Sequence, residues 1–346
     1  MVDTVPQLAQ VLEGVWPGCR VLKVTALEGQ LSTRRYFRVA ITVQGGPSSV
    51  IAMLLPDADP DGVALEQAHA FVDIQAFIAG HGLRAPHIYG KPTGTLVQRL
   101  MLLEDLGDET FDLRLQRTPR AGWERCYTVA TDNLARFHEA GALAAPSTCI
   151  ALRRHFDAAL LRWELDHFRE WGLEALHAPL PAAARRELDA HFDLLTASIV
   201  ALPQGLVHRD YQSRNLMWAE DGALTIIDFQ DAFFGPAPYD LVALLCDSYV
   251  AVDPPLQAAM LKRYAAQRRY SSSQHDALVR GFHLITVQRK LKDAGRFIFI
   301  DRVRKNPSFL GYYPASLEYA ARALSALPEL LDLQGCLRRL VPGFPL

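Results

Sequence analysis

The chain has 346 residues, half of them hydrophobic, with a formal net charge of −2 and five cysteines. That length is enough for two packed lobes, and the near-neutral balance excludes a global attraction to nucleic acid or to an anionic membrane surface. The cysteines, at 19, 126, 149, 246 and 336, show no CxxC and no His-paired metal spacing, which points to free thiols in a reducing compartment.

In chain order, the stretch Met1 to Gly18 carries acidic residues and Pro6 where a signal peptide would have a basic start and an apolar core. No run approaches the roughly 18 apolar residues of a membrane span. A cytoplasmic monomer is expected, without nucleic-acid or membrane partners. Strand-like patterns follow at Val21 to Val24, Tyr36 to Val43 and Ser49 to Leu55, and three antiparallel strands are the economical reading. Between the first two lies a loop, Leu27 to Arg35. Its backbone amides and the small hydroxyls of Ser32 and Thr33 suit the phosphates of a nucleotide, and Arg34 and Arg35 close it. A single glycine in a hairpin also serves as a plain turn residue, and an arginine pair also serves as a solvated surface.

Gly62 to Gly80 has helical spacing, with Val63, Ala70, Phe71, Ile74, Phe77 and Ile78 on or near one face and Glu66 and Asp73 expected as surface charges. Gly94 to Gln98 and Leu100 to Gly107 read as two further strands leading into a linker. Beyond it the chain is mostly helical: 123–138, 152–170, 182–200, 240–249, 255–269, 275–299 and 314–327 all show mixed apolar periodicity.

Within this helical half stands the most informative segment, His208-Arg209-Asp210-Tyr211-Gln212-Ser213-Arg214-Asn215, with Asp228-Phe229-Gln230 thirteen residues after Asn215. Moving a γ-phosphoryl group requires a carboxylate beside the acceptor hydroxyl and two oxygen ligands for magnesium. Asp210 supplies the first, while Asn215 and Asp228 supply the metal pair. Gly205-Leu206-Val207 leads in as a short strand, and 216–218 with 224–227 form a hairpin around Asp221-Gly222, so Asp228 falls at a strand end. Gln212 and Arg214, between base and metal ligand, are candidates for touching the acceptor or for stabilising the loop. From Pro254 to Leu346 there are 15 Lys plus Arg against 6 Asp plus Glu. A neutral or anionic acceptor suits that basic region better than a polycation, since like charges in a desolvated pocket cost several kcal/mol.

This cassette, followed by Gly235-Pro236-Ala237-Pro238-Tyr239-Asp240-Leu241, resembles the aminoglycoside phosphotransferase and choline kinase-like family. The resemblance implies an α+β, two-lobed kinase-like fold: an N-terminal antiparallel sheet lobe over residues 1–106 and a mostly helical C-terminal catalytic and acceptor-binding lobe over 107–346. It implies ATP and Mg2+ as cofactors, a small-molecule sugar substrate, and adenine contacts from the backbone of Glu104 and Leu106. Protein kinases differ, since Gln230 replaces their DFG glycine and a helix follows within about a dozen residues. The family's third strand carries a phosphate-holding lysine, whereas here Met53 lies in that stretch. Either Arg34 or Arg35 serves instead, or the chain is a weakened, nucleotide-binding relative. The strings Arg34-Arg35-Tyr36-Phe37-Arg38 and Gln288 to Phe297 are similar to the bacterial anomeric kinases of N-acetylmuramate and N-acetylglucosamine in peptidoglycan recycling. That likeness implies a lactyl carboxylate near Arg289 and Lys292. Aminoglycoside, choline or homoserine remain alternative acceptors.

Overall fold

The computed structural model describes residues 4–27, 34–56, 62–90 and 99–345, which form two compact units. The first comprises Met1–Thr110, Thr148–Ile150 and Asn215–Asp231, and the second Phe111–Ser147, Ala151–Arg214 and Ala232–Leu346. Ser32, Thr33 and the strand expected at 94–98 lie outside the described residues.

In the first unit, α1 (Thr4–Val15) precedes β1 (Arg20–Leu27), β2 (Arg35–Thr42) and β3 (Ser49–Leu54), then α2 (Val63–Gly80), β4 (Ile88–Gly90) and β5 (Leu100–Glu104). The strands make one antiparallel sheet in the order β1-β2-β3-β5-β4. Because side chains alternate across a strand, Val39, Val50, Ala52 and Leu102 share one face, and Leu8 and Leu12 of α1 complete that core. Met53 and Met101 are a cross-strand pair on the other face, both fully buried. The β-branched and aromatic runs thus specify strands where the alternation predicts them.

The hairpin β7 (Leu216–Trp218) and β8 (Leu224–Ile226) also belongs to this unit, in the register Leu216↔Ile226 and Trp218↔Leu224. Gly222, at φ 81°, makes the turn. Asp73 is not the surface charge expected of it: its carboxylate accepts the Ile150 N–H at 2.6 Å. No apolar pattern betrays such a partner 77 residues away.

The second unit contains α3 (Phe111–Gln116), α4 (Trp123–Leu143), α5 (Ala158–His167), a π turn at Phe168–Glu174 and α6 (Ala182–Val200). It continues through the paired strands β6 (Gln204–Val207) and β9 (Phe233–Pro236), then α7 (Tyr239–Leu245), α8 (Pro254–Gln267), α9 (Ser272–Arg304), α10 (Tyr313–Ser325) and α11 (Leu331–Leu340). The helix expected over 152–170 begins only at Ala158, because Asp157 caps it by accepting the Leu160 N–H at 2.9 Å while His155 bridges Phe234. Similarly, α7 stops at Leu245, and Asp247 turns back to accept the Tyr249 N–H at 2.9 Å.

The spine of this unit is α9, started by a reciprocal capping box between Ser271 and Gln274. Its backbone closes on the π turn at Gly295, where an added Cβ would stand 2.7 Å from Phe168 Cα and 2.9 Å from the His167 carbonyl oxygen. Backbone cannot yield as a side chain does. Gly295→Ala is therefore expected to destabilise the protein by about 1–3 kcal/mol, the usual cost of overpacking, which thermal denaturation measures directly. Among the described residues, no helix is long and apolar enough to cross a membrane.

Candidate active site

The segment after β6 is held in place by buried carboxylates. Asp240, the second residue of α7, is fully buried; its two oxygens accept the backbone N–H groups of His208 at 2.7 Å and Arg209 at 2.9 Å, and His138 Nε2 stands 3.0 Å from it. Asp247 accepts the Ser213 N–H at 2.8 Å, and Tyr211 donates its hydroxyl to the Ala130 carbonyl at 3.0 Å. Burial pushes the Asp247 carboxyl above the usual range against the pull of these donors. Arg209 is thereby kept at φ 81°, a left-handed conformation that a non-glycine residue adopts only when its surroundings insist.

The strained turn leaves the Asp210 side chain 37% exposed, between the buried His208 and Tyr211. Its Oδ1 accepts a hydrogen bond from Arg289 Nη2 at 2.9 Å, and Arg289 Nη1 donates to the Arg209 carbonyl at 2.7 Å. Arg289 itself is buried and lies over the Tyr239 ring at 4.9 Å. Burial favours the neutral acid, but the Arg289, Lys292 and Arg209 charges outweigh it and bring the Asp210 carboxyl down to about 2. Asp210 is a fixed, ionised carboxylate.

Arg289 is thus placed on Asp210, and Lys292 forms an ion pair with Asp293 at 3.0 Å that holds it protonated well above the usual lysine range despite its burial. Arg214 stacks over Tyr249 at 3.6 Å with Asp112 3.6 Å from its Nε, and the Gln212 N–H donates to the Asp210 carbonyl at 2.8 Å. All four residues stand in the second unit with Asp210.

In the first unit, Asn215 and Asp228 face one another, the Asn215 amide nitrogen 3.5 Å from Asp228 Oδ2. Gln230 donates to the other carboxylate oxygen at 2.9 Å, so the residue that replaces glycine steadies the metal-ligand candidate. Asp228 adopts φ 61° and is exposed, whereas Phe229 beside it is fully buried against Phe71 of α2 at 4.6 Å. A carboxylate and a carboxamide are the hard oxygen donors that magnesium takes, so this pair fits such an ion.

Met53 gives that side of the unit no charge, and Arg34 supplies one nearby. Arg34 is buried and donates to Gln67 Oε1 of α2 at 2.6 Å; Gln67 in turn donates to Asp231 at 3.3 Å. Tyr36 senses both Arg34 and Asp228: burial and Asp228 raise its phenol while Arg34 lowers it, with burial prevailing. Arg35 begins β2 and is exposed. Glu104 and Leu106 border an open cavity of about 740 Å³, and the Glu104 N–H already donates to the His87 carbonyl at 2.8 Å. Arg38 and Ser49 hold Asp105 between them, at 3.0 and 2.8 Å.

Residues 23–277 match the model of the phosphotransferase enzyme family (APH). The chain belongs to that family. It is 32% identical over 341 residues to the N-acetylmuramate/N-acetylglucosamine kinase of Pseudomonas aeruginosa, covering 96% of this chain and 93% of that protein. Among solved structures, a choline kinase from Cryptosporidium parvum aligns with a TM-score of 0.63 at 12% identity, over 96% of this chain and 98% of that one. A GDP complex of aminoglycoside 2'-phosphotransferase-IIIa aligns with a TM-score of 0.59 at 16% identity, over 92% and 97%. The two-lobed α+β architecture expected from the sequence is the phosphotransferase fold, and the chain is a phosphotransferase. Sequence reasoning missed the clamp residue Asp247 of this phosphotransferase, and took Asp240 only as part of the string that carries the family resemblance. Asp240 carried a usable signal in its place after the Gly235 to Tyr239 turn.

Proposed function

We propose that the protein transfers the γ-phosphoryl group of ATP to the anomeric hydroxyl of N-acetylmuramate or N-acetylglucosamine, a reaction that serves peptidoglycan recycling. The observation that carries the chemistry is Asp210: a carboxylate kept ionised by Arg289, five residues before Asn215, whose amide faces Asp228. The acceptor follows from the full-length likeness to the Pseudomonas kinase.

In this reading the acceptor hydroxyl donates to Asp210, its oxygen attacks the γ-phosphorus, the bond to ADP breaks, and the proton passes to the carboxylate. A group with its carboxyl near 2 is a weak base, so Asp210 acts first by orienting the hydroxyl and takes the proton late, as the loose transition state of phosphoryl transfer permits. Magnesium held by Asn215 and Asp228 would screen the phosphate charge. Arg34 stands in for the absent strand lysine, with Gln67 as its α2 partner, and the backbone at Glu104 and Leu106 receives the adenine edge.

Incubation with ATP, magnesium and each sugar, followed by product identification, tests the assignment. A sugar 1-phosphate from either amino sugar is expected, whereas turnover of choline or an aminoglycoside with neither amino sugar accepted overturns it.

A further inference from the structure

On one face of α9, Arg289, Lys292 and Arg296 follow each other at i, i+3 and i+7, the spacing that aligns side chains along a helix. Two of these cations are committed: Arg289 to Asp210 and the Arg209 carbonyl, Lys292 to Asp293. Arg296 differs. It is half-buried, its guanidinium lies over the Phe299 ring at 5.2 Å, and no carboxylate pairs with it among the described residues. Burial, then the repulsion of Arg304 and Arg209, pulls it below the usual arginine range.

The carboxylates of Asp293 and Glu164 are taken. Asp293 serves Lys290 and Lys292, each at 3.0 Å, and the buried Glu164 accepts from Gln288 at 2.8 Å and lies 3.6 Å from Arg209. Beside the cations runs a wall of rings, His167 at 5.3 Å and Trp171 at 5.2 Å from Phe299. His167 Nε2 is buried without a hydrogen-bond partner, and burial with the Arg296 and Lys292 charges holds that imidazole near 4 and therefore neutral. A half-desolvated cation among cations, next to an apolar wall and an unmatched polar atom, is a place that an anion on a sugar-sized ligand would stabilise.

We propose that Arg296 forms a carboxylate subsite that receives the acid group of an acidic amino sugar whose hydroxyl meets Asp210. This rests on the amino-sugar kinase reading and moves acid recognition one helical turn beyond the residues that sequence alone suggested. The subsite makes the enzyme favour the acid sugar over its neutral counterpart through binding, not through chemistry.

The test is steady-state kinetics of Arg296→Gln and Arg296→Lys with N-acetylmuramate and N-acetylglucosamine, alongside calorimetric binding of both sugars to the wild-type protein. In Arg296→Gln the ratio of kcat/KM for the acid sugar to that for the neutral sugar should fall roughly 10-fold or more, the worth of a charge-assisted hydrogen bond, mainly through KM. Arg296→Lys should recover part of it. An unchanged ratio, with both sugars unaffected or both lost alike, overturns the subsite; the neutral sugar serves as the folding control. Preferential binding of N-acetylmuramate without any turnover overturns the kinase reading and keeps the subsite, whereas absence of both binding and turnover overturns both.

Discussion

Asp210→Asn is expected to lower kcat by roughly 10²-fold or more, the range of a positioned acid–base group, while leaving KM for ATP within a few-fold. Asparagine keeps the shape and an oxygen for Arg289 Nη2 but removes the negative charge that Arg289, Lys292 and Arg209 surround. The variant can neither orient the hydroxyl as a carboxylate does nor take its proton. Steady-state turnover with ATP and an amino sugar measures the effect, and unaltered kcat would end the mechanism. The pH dependence follows with a definite sign. Since the folded-state carboxyl lies near 2, the stabilisation contributed by ionised Asp210 is complete above its ordinary value near 3.8 and is lost as pH falls toward 2. The acid limb of kcat/KM due to this group therefore lies below the ordinary carboxylate range. Arg289→Gln should move that limb upward.

Asp240→Ala is expected to cost several kcal/mol of stability together with most of the activity. The carboxylate is fully buried, and its loss leaves the His208 and Arg209 amides without their acceptors at a typical ~1–3 kcal/mol for each unsatisfied buried group. Against a total stability of about 5–15 kcal/mol, that loss is large. Activity suffers separately, because the same two bonds hold Arg209 at φ 81° and so aim Asp210. Asp240→Asn should recover only part, since its amide nitrogen presents a donor to backbone donors. Denaturant unfolding and kcat, measured on both variants, distinguish the two losses; a native midpoint with native turnover in Asp240→Ala would remove the clamp from the mechanism.

Whatever depends on neighbours in the chain was legible beforehand. The three strands of the first unit, the hairpin around Gly222, α2, and the joint spacing of Asp210, Asn215 and Asp228 all express periodicity or turn chemistry within a few tens of residues. Where local order yields to capping or tertiary contact, the reading blurred: Asp157 divides an expected helix, Asp247 shortens another, and α1 and α11 were not among the expected helices.

The roles of the basic residues were beyond sequence altogether. Arg289, Lys292 and Arg296 look alike as cations at helical spacing, and nothing local says that the first clamps a carboxylate 79 residues earlier, the second pairs with Asp293, and the third is left among positive charges. Likewise Arg34 gains meaning only through Gln67, and Asp73 through Ile150. The sequence by itself determined the family, the elements and the kind of chemistry, because short-range spacing of donors and apolar residues encodes those. Tertiary structure alone decided which charge meets which, because pairing and burial depend on segments that only folding brings together, and these set the state of Asp210.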